Sequence, residues 1–382
     1  METKSIGEVS QVNLSQIRRT HEGPISYIDT SSVIYGKFSF PKIYSSVQDA
    51  PSRARRLAKS GDTVISTVRP KMCHYGYISS VNEKDIFSTG FVVVHPRRQV
   101  IEPYYLYLVL TSDEVTEKLQ QIAETSTTTY PSIKPSDITS IDIIIPSRKY
   151  QQDVAGIIGA IDEKIVLNQQ INKNLLRLCR IQFDRVKLAC SSTTDLSNIA
   201  VLMMGQSPKG NTYNQKGEGT PLLNGAADFR GGINPSKYTS DPKKVTKPGD
   251  YVFGIRATIG LTTKVFGCYA IGRGTGLARS LNSEFDELLY FILEDSFDYF
   301  AHAATGSVYL NISRKDFETY SAPAFSGHSQ KVFHDFASPL MEKIYQDETQ
   351  NKKLTQIRDI LLPKLLSGSV DLSGIEEAMK NA

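Results

Sequence analysis

Catalysis needs reactive side chains at fixed spacing, and several stretches of this sequence invite that reading. "GRGTG" (Gly272 to Gly276) has glycines of the kind that let backbone amides approach a phosphate. It lacks the GxGxxG spacing, no acidic residue follows a second strand, and the matching place earlier in the chain reads "STGFVVV". Lying between an apolar run and a predicted helix, it reads as a tight turn presenting Arg273. "NPSKY" at Asn234 approaches the (N/D)PP(Y/F) pattern that would hold a flipped base, but breaks it at the second proline. Histidines 21, 74, 95, 302, 328 and 334 form no HxH or HExxH, and Cys73-His74 is an isolated pair, so no metal site is expected. "GQSPKG" around Ser207 lacks the GxSxG elbow of a nucleophilic serine. The sequence predicts a non-enzymatic chain with no catalytic residues and no cofactor of its own.

The elements that position its side chains follow from a repeat. "DEKIVLNQQINKNL" (Asp162 to Leu175) is echoed 179 residues later by "MEKIYQDETQNKKL" (Met341 to Leu354). At that offset, residues 130–183 and 309–362 share twelve identities in 54 positions, where unrelated sequences would share about three. Val154, Ile157, Ile161 and Ile165, then Ile171, Leu175 and Leu178, follow helical spacing. Phe333, Phe336, Leu340 and Ile344, then Leu354, Ile357 and Leu361, repeat it. About 36 helical residues span roughly 55 Å. A lone narrow stripe that long is unstable, so each helix is expected to pair with the other copy. Asn168, Asn172, Asp347 and Asn351 fall where the stripe thins, as register-setting or partner-docking residues or as a solvated face.

Upstream of each helix lies a region rich in Gly, Pro, Tyr and short β-branched runs, read as mixed α/β. "SGDTVISTVR" (Ser60 to Arg69) resembles "PGDYVFGIR" (Pro248 to Arg256), and "TSTTTYPSIKPSDI" (Thr125 to Ile138) resembles "ATGSVYLNISRKDF" (Ala304 to Phe317). "YLYLVL" (Tyr105 to Leu110) matches "LYFILE" (Leu289 to Glu294) as a buried helix. The fold class is therefore α+β: two mixed α/β domains alternating with two long helices, a pseudo-twofold tandem duplication. The boundaries read as 1–149, 150–190, 191–326 and 327–382.

Composition bounds the function classes. The 382 residues are 40% hydrophobic and 22% charged, ordinary for globular domains. No apolar run nears the roughly 18 residues of a membrane span. Cys73, Cys179, Cys190 and Cys268 show no CxxC spacing and "METKSIGEVS" has no apolar signal core, so a cytoplasmic location is expected. The net charge of +4 is mildly basic. Residues 1–150 hold 18 Lys and Arg against 15 Asp and Glu, and residues 194–326 balance at 13 each, so any anion-binding surface is a local patch.

The whole pattern resembles the specificity (S) subunit of type I restriction-modification systems. The carriers are "IIIPSRKYQQDVAGIIGAIDEKIVLNQQINKNL", the C-terminal "LTQIRDILLPKLLSGSVDL", "GQSPKGNTYNQKGEGTPLLNGAADF" and "AIGRGTGLA", in this order and repetition. The resemblance implies two target-recognition domains, conserved helices paired as an antiparallel coiled coil, and a reader of double-stranded DNA. It implies two methyltransferase (M) subunits as partners, with S-adenosylmethionine bound on them, and translocase-nuclease (R) subunits where present. The first domain departs from the pattern, since "GEVSQVNLSQIRR" stands where the second has "GQSPKGNTYN", so the two are expected to read different half-sites.

Base reading needs donors and acceptors at groove depth, with Arg suited to guanine, Asn or Gln to adenine, and Lys and hydroxyls to phosphate. The first domain offers Arg69, Lys71, His74 and Tyr75 in "TVRPKMCHYGY", and Thr127, Thr128, Tyr130 and Lys134 in "STTTYPSIK". The second offers Gln206, Ser207, Lys209, Tyr213, Asn214, Asn224, Arg256, Arg273 and Tyr309. Ordinary loop polarity is the competing reading for each. "SRARRLAK" (Ser52 to Lys59), the densest basic run, either faces phosphate or forms a solvated helix. A stand-alone modifying enzyme, a coiled-coil scaffold that reads no DNA, and an S subunit of a methylation-only complex are the rivals.

Overall fold

The computed structural model describes residues 2–125, 131–255, 259–303, 313–370 and 372, with the side chains of Ala226 and Ala303 left aside. The chain forms two compact units, residues 1–165 with 353–382 and residues 166–352. Each unit therefore takes part of both long helices, Arg148–Leu188 and Gly327–Leu366. The second helix continues through Pro339, one backbone donor short.

In the first unit, strand Glu2–Ser5 pairs antiparallel with Asp142–Ile145 and closes the domain at the root of the long helix. One four-stranded sheet runs Ser10–Val12, Phe91–Pro96, Thr63–Ser66, Tyr75–Tyr77. The β-branched run "FVVV" can be central because both its faces are buried. A second sheet runs Lys42–Tyr44, Ile25–Ile28, Asp85–Ser88, Ala54–Arg56, with the middle pair parallel. Helix Pro103–Leu110, capped by Glu102, buries Tyr105, Leu106, Leu108, Val109 and Leu110. They share a core with Val154 and Ile158 of the first long helix and Leu365 of the second.

The second unit repeats this frame. Thr193–Asp195 pairs with Ser321–Pro323, and a sheet runs Ala200–Met204, Thr275–Ser280, Tyr251–Ile255, Ile259–Lys264. Another runs Tyr213–Asn214, Lys237–Thr239, Thr220–Leu223, Ala270–Ile271, its last pair parallel. Helix Asp286–Ala303 takes the place of Pro103–Leu110 and packs with Phe183, Phe333, Ala337 and Met341 of the long helices.

A buried aspartate paired with a side chain of the neighbouring strand recurs at one place in both frames. Asp250, with no side-chain exposure, accepts from Arg279 Nε at 2.6 Å and Nη2 at 2.8 Å. The counterpart is Asp62, whose Oδ2 lies 2.8 Å from His95 Nδ1, while His95 Nε2 accepts from the Leu14 amide at 3.3 Å. Each pair ties the start of one central strand to the neighbouring strand.

Two local expectations are corrected. "GRGTG" leads into a strand, Thr275–Ser280, and not into a helix. "SRARRLAK" is no helix: Ala54–Arg56 is a strand at a sheet edge, because Phe87 and Ser88 offer it ladder partners.

Candidate nucleic-acid interface

In the second unit, three loops meet at the glycines of "GRGTG". The Gly205 amide donates to Thr275 O at 2.8 Å and the Gln206 amide to Ile271 O at 2.9 Å, while Gly272 donates to Leu223 O at 2.8 Å. The approach is so close that a Cβ on Gly272 would lie 2.1 Å from Asn224 Oδ1, and one on Gly274 would lie 2.4 Å from Asn224 O. Glycine is required for that closeness. The result gathers Gln206, Asn224 and the turn residue Arg273, all exposed and with side chains unpaired among the described residues. Amide and guanidinium groups together supply the donors and acceptors that suit base edges.

Asp228 organises the loop that carries Asn224. Almost buried, it accepts from the Asn224 amide at 2.8 Å and the Gly225 amide at 3.3 Å on Oδ2. Its Oδ1 accepts from Ser236 N at 3.3 Å and Oγ at 3.1 Å. Sequence reasoning missed it, because an Asp among Gly, Asn and Ser reads as loop polarity; the only signal was the turn-rich spacing from Asn224 to Ser236.

The neighbouring candidates divide. Lys209 is exposed, and Ser207 and Tyr213 are half-buried. The Asn214 side chain is engaged locally: Nδ2 donates to Glu218 O at 2.7 Å, and Oδ1 accepts from the amides of Lys216 and Glu218 at 3.0 and 3.1 Å. Arg256 and Tyr309 lie outside the described residues.

In the first unit, Arg69 is exposed in a left-handed backbone conformation, φ 49°, and its amide donates to Pro131 O at 2.9 Å. Lys71 is held 3.0 Å from Glu117, and half-buried His74 has Nδ1 2.7 Å from Val33 O. Tyr75 packs edge-on against Tyr35 and Tyr107. Lys134 is exposed, while Thr127, Thr128 and Tyr130 lie outside the described residues. The helix Asp113–Glu124 holds this loop too, since the Gln120 carbonyl oxygen accepts from the Lys71 amide at 3.2 Å.

The duplicated helical phrase meets its own copy within the second unit. Asn168, fully buried, donates to Asn351 Oδ1 at 2.9 Å and to Gln350 Oε1 at 2.8 Å, and Asn172 Nδ2 donates to Ile344 O at 3.3 Å. The order is antiparallel, and Asn351 stands where the repeat places the copy of Asn172. In the first unit Asp162 takes a hydrogen bond from Arg358 Nη1 at 3.0 Å and from the Tyr104 hydroxyl at 2.7 Å. Burial, reinforced by the Asp162 charge, pushes the Tyr104 phenol far above its ordinary pKa and keeps it a donor.

Residues 1–177 match the family model described as the type I restriction modification DNA specificity domain, and the second unit repeats the first domain's sheet frame. The first 177 residues thus match a type I restriction-modification specificity domain. It is similar to the type I restriction enzyme HindI specificity subunit of Haemophilus influenzae, 23% identical over 96% of this chain and 98% of the relative. A putative MjaX specificity subunit of Methanocaldococcus jannaschii is 24% identical over 81% of this chain and 78% of its own. Among solved structures, the S subunit of M. genitalium has a TM-score of 0.59 at 15% identity, each chain covered to 95%, a likeness of fold. In this chain the sheet frame is common to both domains and the loops mounted on it differ. The place of Gln206 is filled in the first domain by the segment at Gln16, which bridges to Arg56. Among the described residues there is no metal-ligating cluster, and no helix is long and apolar enough to cross a membrane.

Proposed function

We propose that this chain is the DNA sequence-specificity subunit of a type I restriction-modification complex. It is a non-catalytic recognition subunit that reads a split, asymmetric target with two domains, residues 1–149 and 191–326. Residues 150–190 and 327–382 dock two methyltransferase subunits, which bind S-adenosylmethionine and modify the bases, and translocase-nuclease subunits join where the system restricts. The complex works in the cytoplasm. The observation that carries this reading is one sheet frame used twice with unlike reading loops. Equal frames present side chains in the same way, and unlike loops select unlike bases.

In the second domain Arg273 addresses guanine, Gln206 and Asn224 address adenine, and Lys209 holds a phosphate; Arg69 and Lys134 serve the first domain. Co-expression with the cognate methyltransferase subunit and genome-wide mapping of modified bases tests the proposal. One bipartite motif with two different halves is the expected outcome; modification without a sequence motif overturns it.

A further inference from the structure

The two recognition domains carry the same basic pair at the same place and treat it in opposite ways. "RRLAKSGD" (Arg55 to Asp62) aligns with "KKVTKPGD" (Lys243 to Asp250). Both pairs lie against the same sheet position, Arg56 opposite Phe87 and Lys244 with its carbonyl accepting from the Ile271 amide at 3.0 Å. In the second domain both ammonium groups are satisfied: Lys243 lies 2.7 Å from Asp241, and Lys244 donates to Met204 O at 2.7 Å.

In the first domain neither arginine has an ion pair among the described residues. Arg55 Nη1 and Arg56 Nε are buried and have no hydrogen-bond partner among the described residues. Burial alone holds the Arg56 guanidinium below its ordinary pKa. A half-buried cation with no anion is costly, and a fold tolerates it where an anion arrives from outside. Arg53, exposed one residue beyond Ala54, extends the positive run, and Ala54 itself anchors the strand in the core. Arginine suits this task because its planar fork can grip two phosphate oxygens while its stem stays packed.

We infer that the edge strand Ala54–Arg56, with Arg53 just before it, seats DNA backbone phosphates at the half-site read by the first domain, Arg55 and Arg56 reaching out from its opposite faces. This rests on the function proposed above. In the free protein Arg55 Nη1 and Arg56 Nε are buried without an acceptor among the described residues while each side chain stays half-exposed, and an incoming phosphodiester supplies the counter-charge at the exposed part of each guanidinium. A backbone contact positions the domain and carries no base preference.

The test uses the complete chain assembled with its methyltransferase subunits, with Arg55→Met and Arg56→Met singly and together. Methionine keeps the packed stem and removes the unpaired charge. The expected result is weaker binding to specific and non-specific DNA alike, with the slope of log K against log salt shallower by about 0.9 for each phosphate that the variant no longer neutralises. The modified-base motif stays the same, the melting temperature is held or raised, and Arg56→Lys keeps the parent slope. An unchanged slope, whether or not the melting temperature falls, overturns the phosphate seat. If the parent complex itself shows no sequence-selective binding, the proposed function fails first; selective parent binding with unaltered variants overturns this inference alone.

Discussion

Among single residues, the sharpest contrast is between side chains that face outward and those that hold them there. Gln206, Asn224 and Arg273 were legible as candidate readers because their types suit base edges, and tertiary contacts place them around one pair of glycines. Asp228 was not legible, since its partners Asn224, Gly225 and Ser236 are defined only once the loop is folded. Asp228→Ala removes the acceptor for that loop and should relax base preference in the second half-site by about 1–3 kcal/mol, the worth of one good base contact. Competition binding with DNA altered in one half at a time checks this. Loss confined to the second half supports the positioning role; equal loss in both halves rejects it. Asn214 teaches the opposite lesson: suited by type to reading a base, it engages its amide in closing residues 214–218.

For the elements, local propensity and tertiary demand part company. "SRARRLAK" is composed of good helix formers, yet the strand Asp85–Ser88 needs a neighbour and draws residues 54–56 into the sheet. The strand after "GRGTG" reads as a helix in sequence because a short apolar run fits either period. The repeated aspartate contact at the start of the central strand makes a test of the shared frame. Arg279→Ala leaves the fully buried Asp250 carboxylate without its counter-charge, with the Lys247 amide still donating to it, and should cost about 3–5 kcal/mol, read as the drop in unfolding free energy by denaturant melts. A cost under about 1 kcal/mol would mean that the pair does not hold the strand start. On the long helices, Asn168 Oδ1, Asn172 Oδ1 and Asp347 Oδ2 are buried without a partner among the described residues. Such a layer lowers stability and specifies register. Asn168→Leu should therefore leave the melting temperature undiminished but admit shifted pairings, seen as a broadened distance distribution between spin labels at Lys173 and Glu342. One sharp distance in the variant argues against register setting, and the target bases should be unchanged in either case.

Across the whole molecule, the duplication makes a prediction about the target. If the helices set the gap between half-sites, removing four residues from each shortens them by about 6 Å, close to two base-pair steps of about 3.4 Å. Mapping of modified bases should then return the same two half-sites with fewer unspecified bases between them; an unchanged gap removes the helices as the ruler. The sequence by itself determined the tandem architecture, the helical nature of the repeated phrase and the residue types available for reading DNA, because periodicity and composition are local properties. Only the tertiary structure decided which polar groups are already satisfied: Lys243 and Lys244 are paired within their domain, Arg55 Nη1 and Arg56 Nε find no acceptor among the described residues, and Asn168 meets Asn351. Those outcomes depend on partners brought from distant segments, and folding alone sets which donor finds an acceptor.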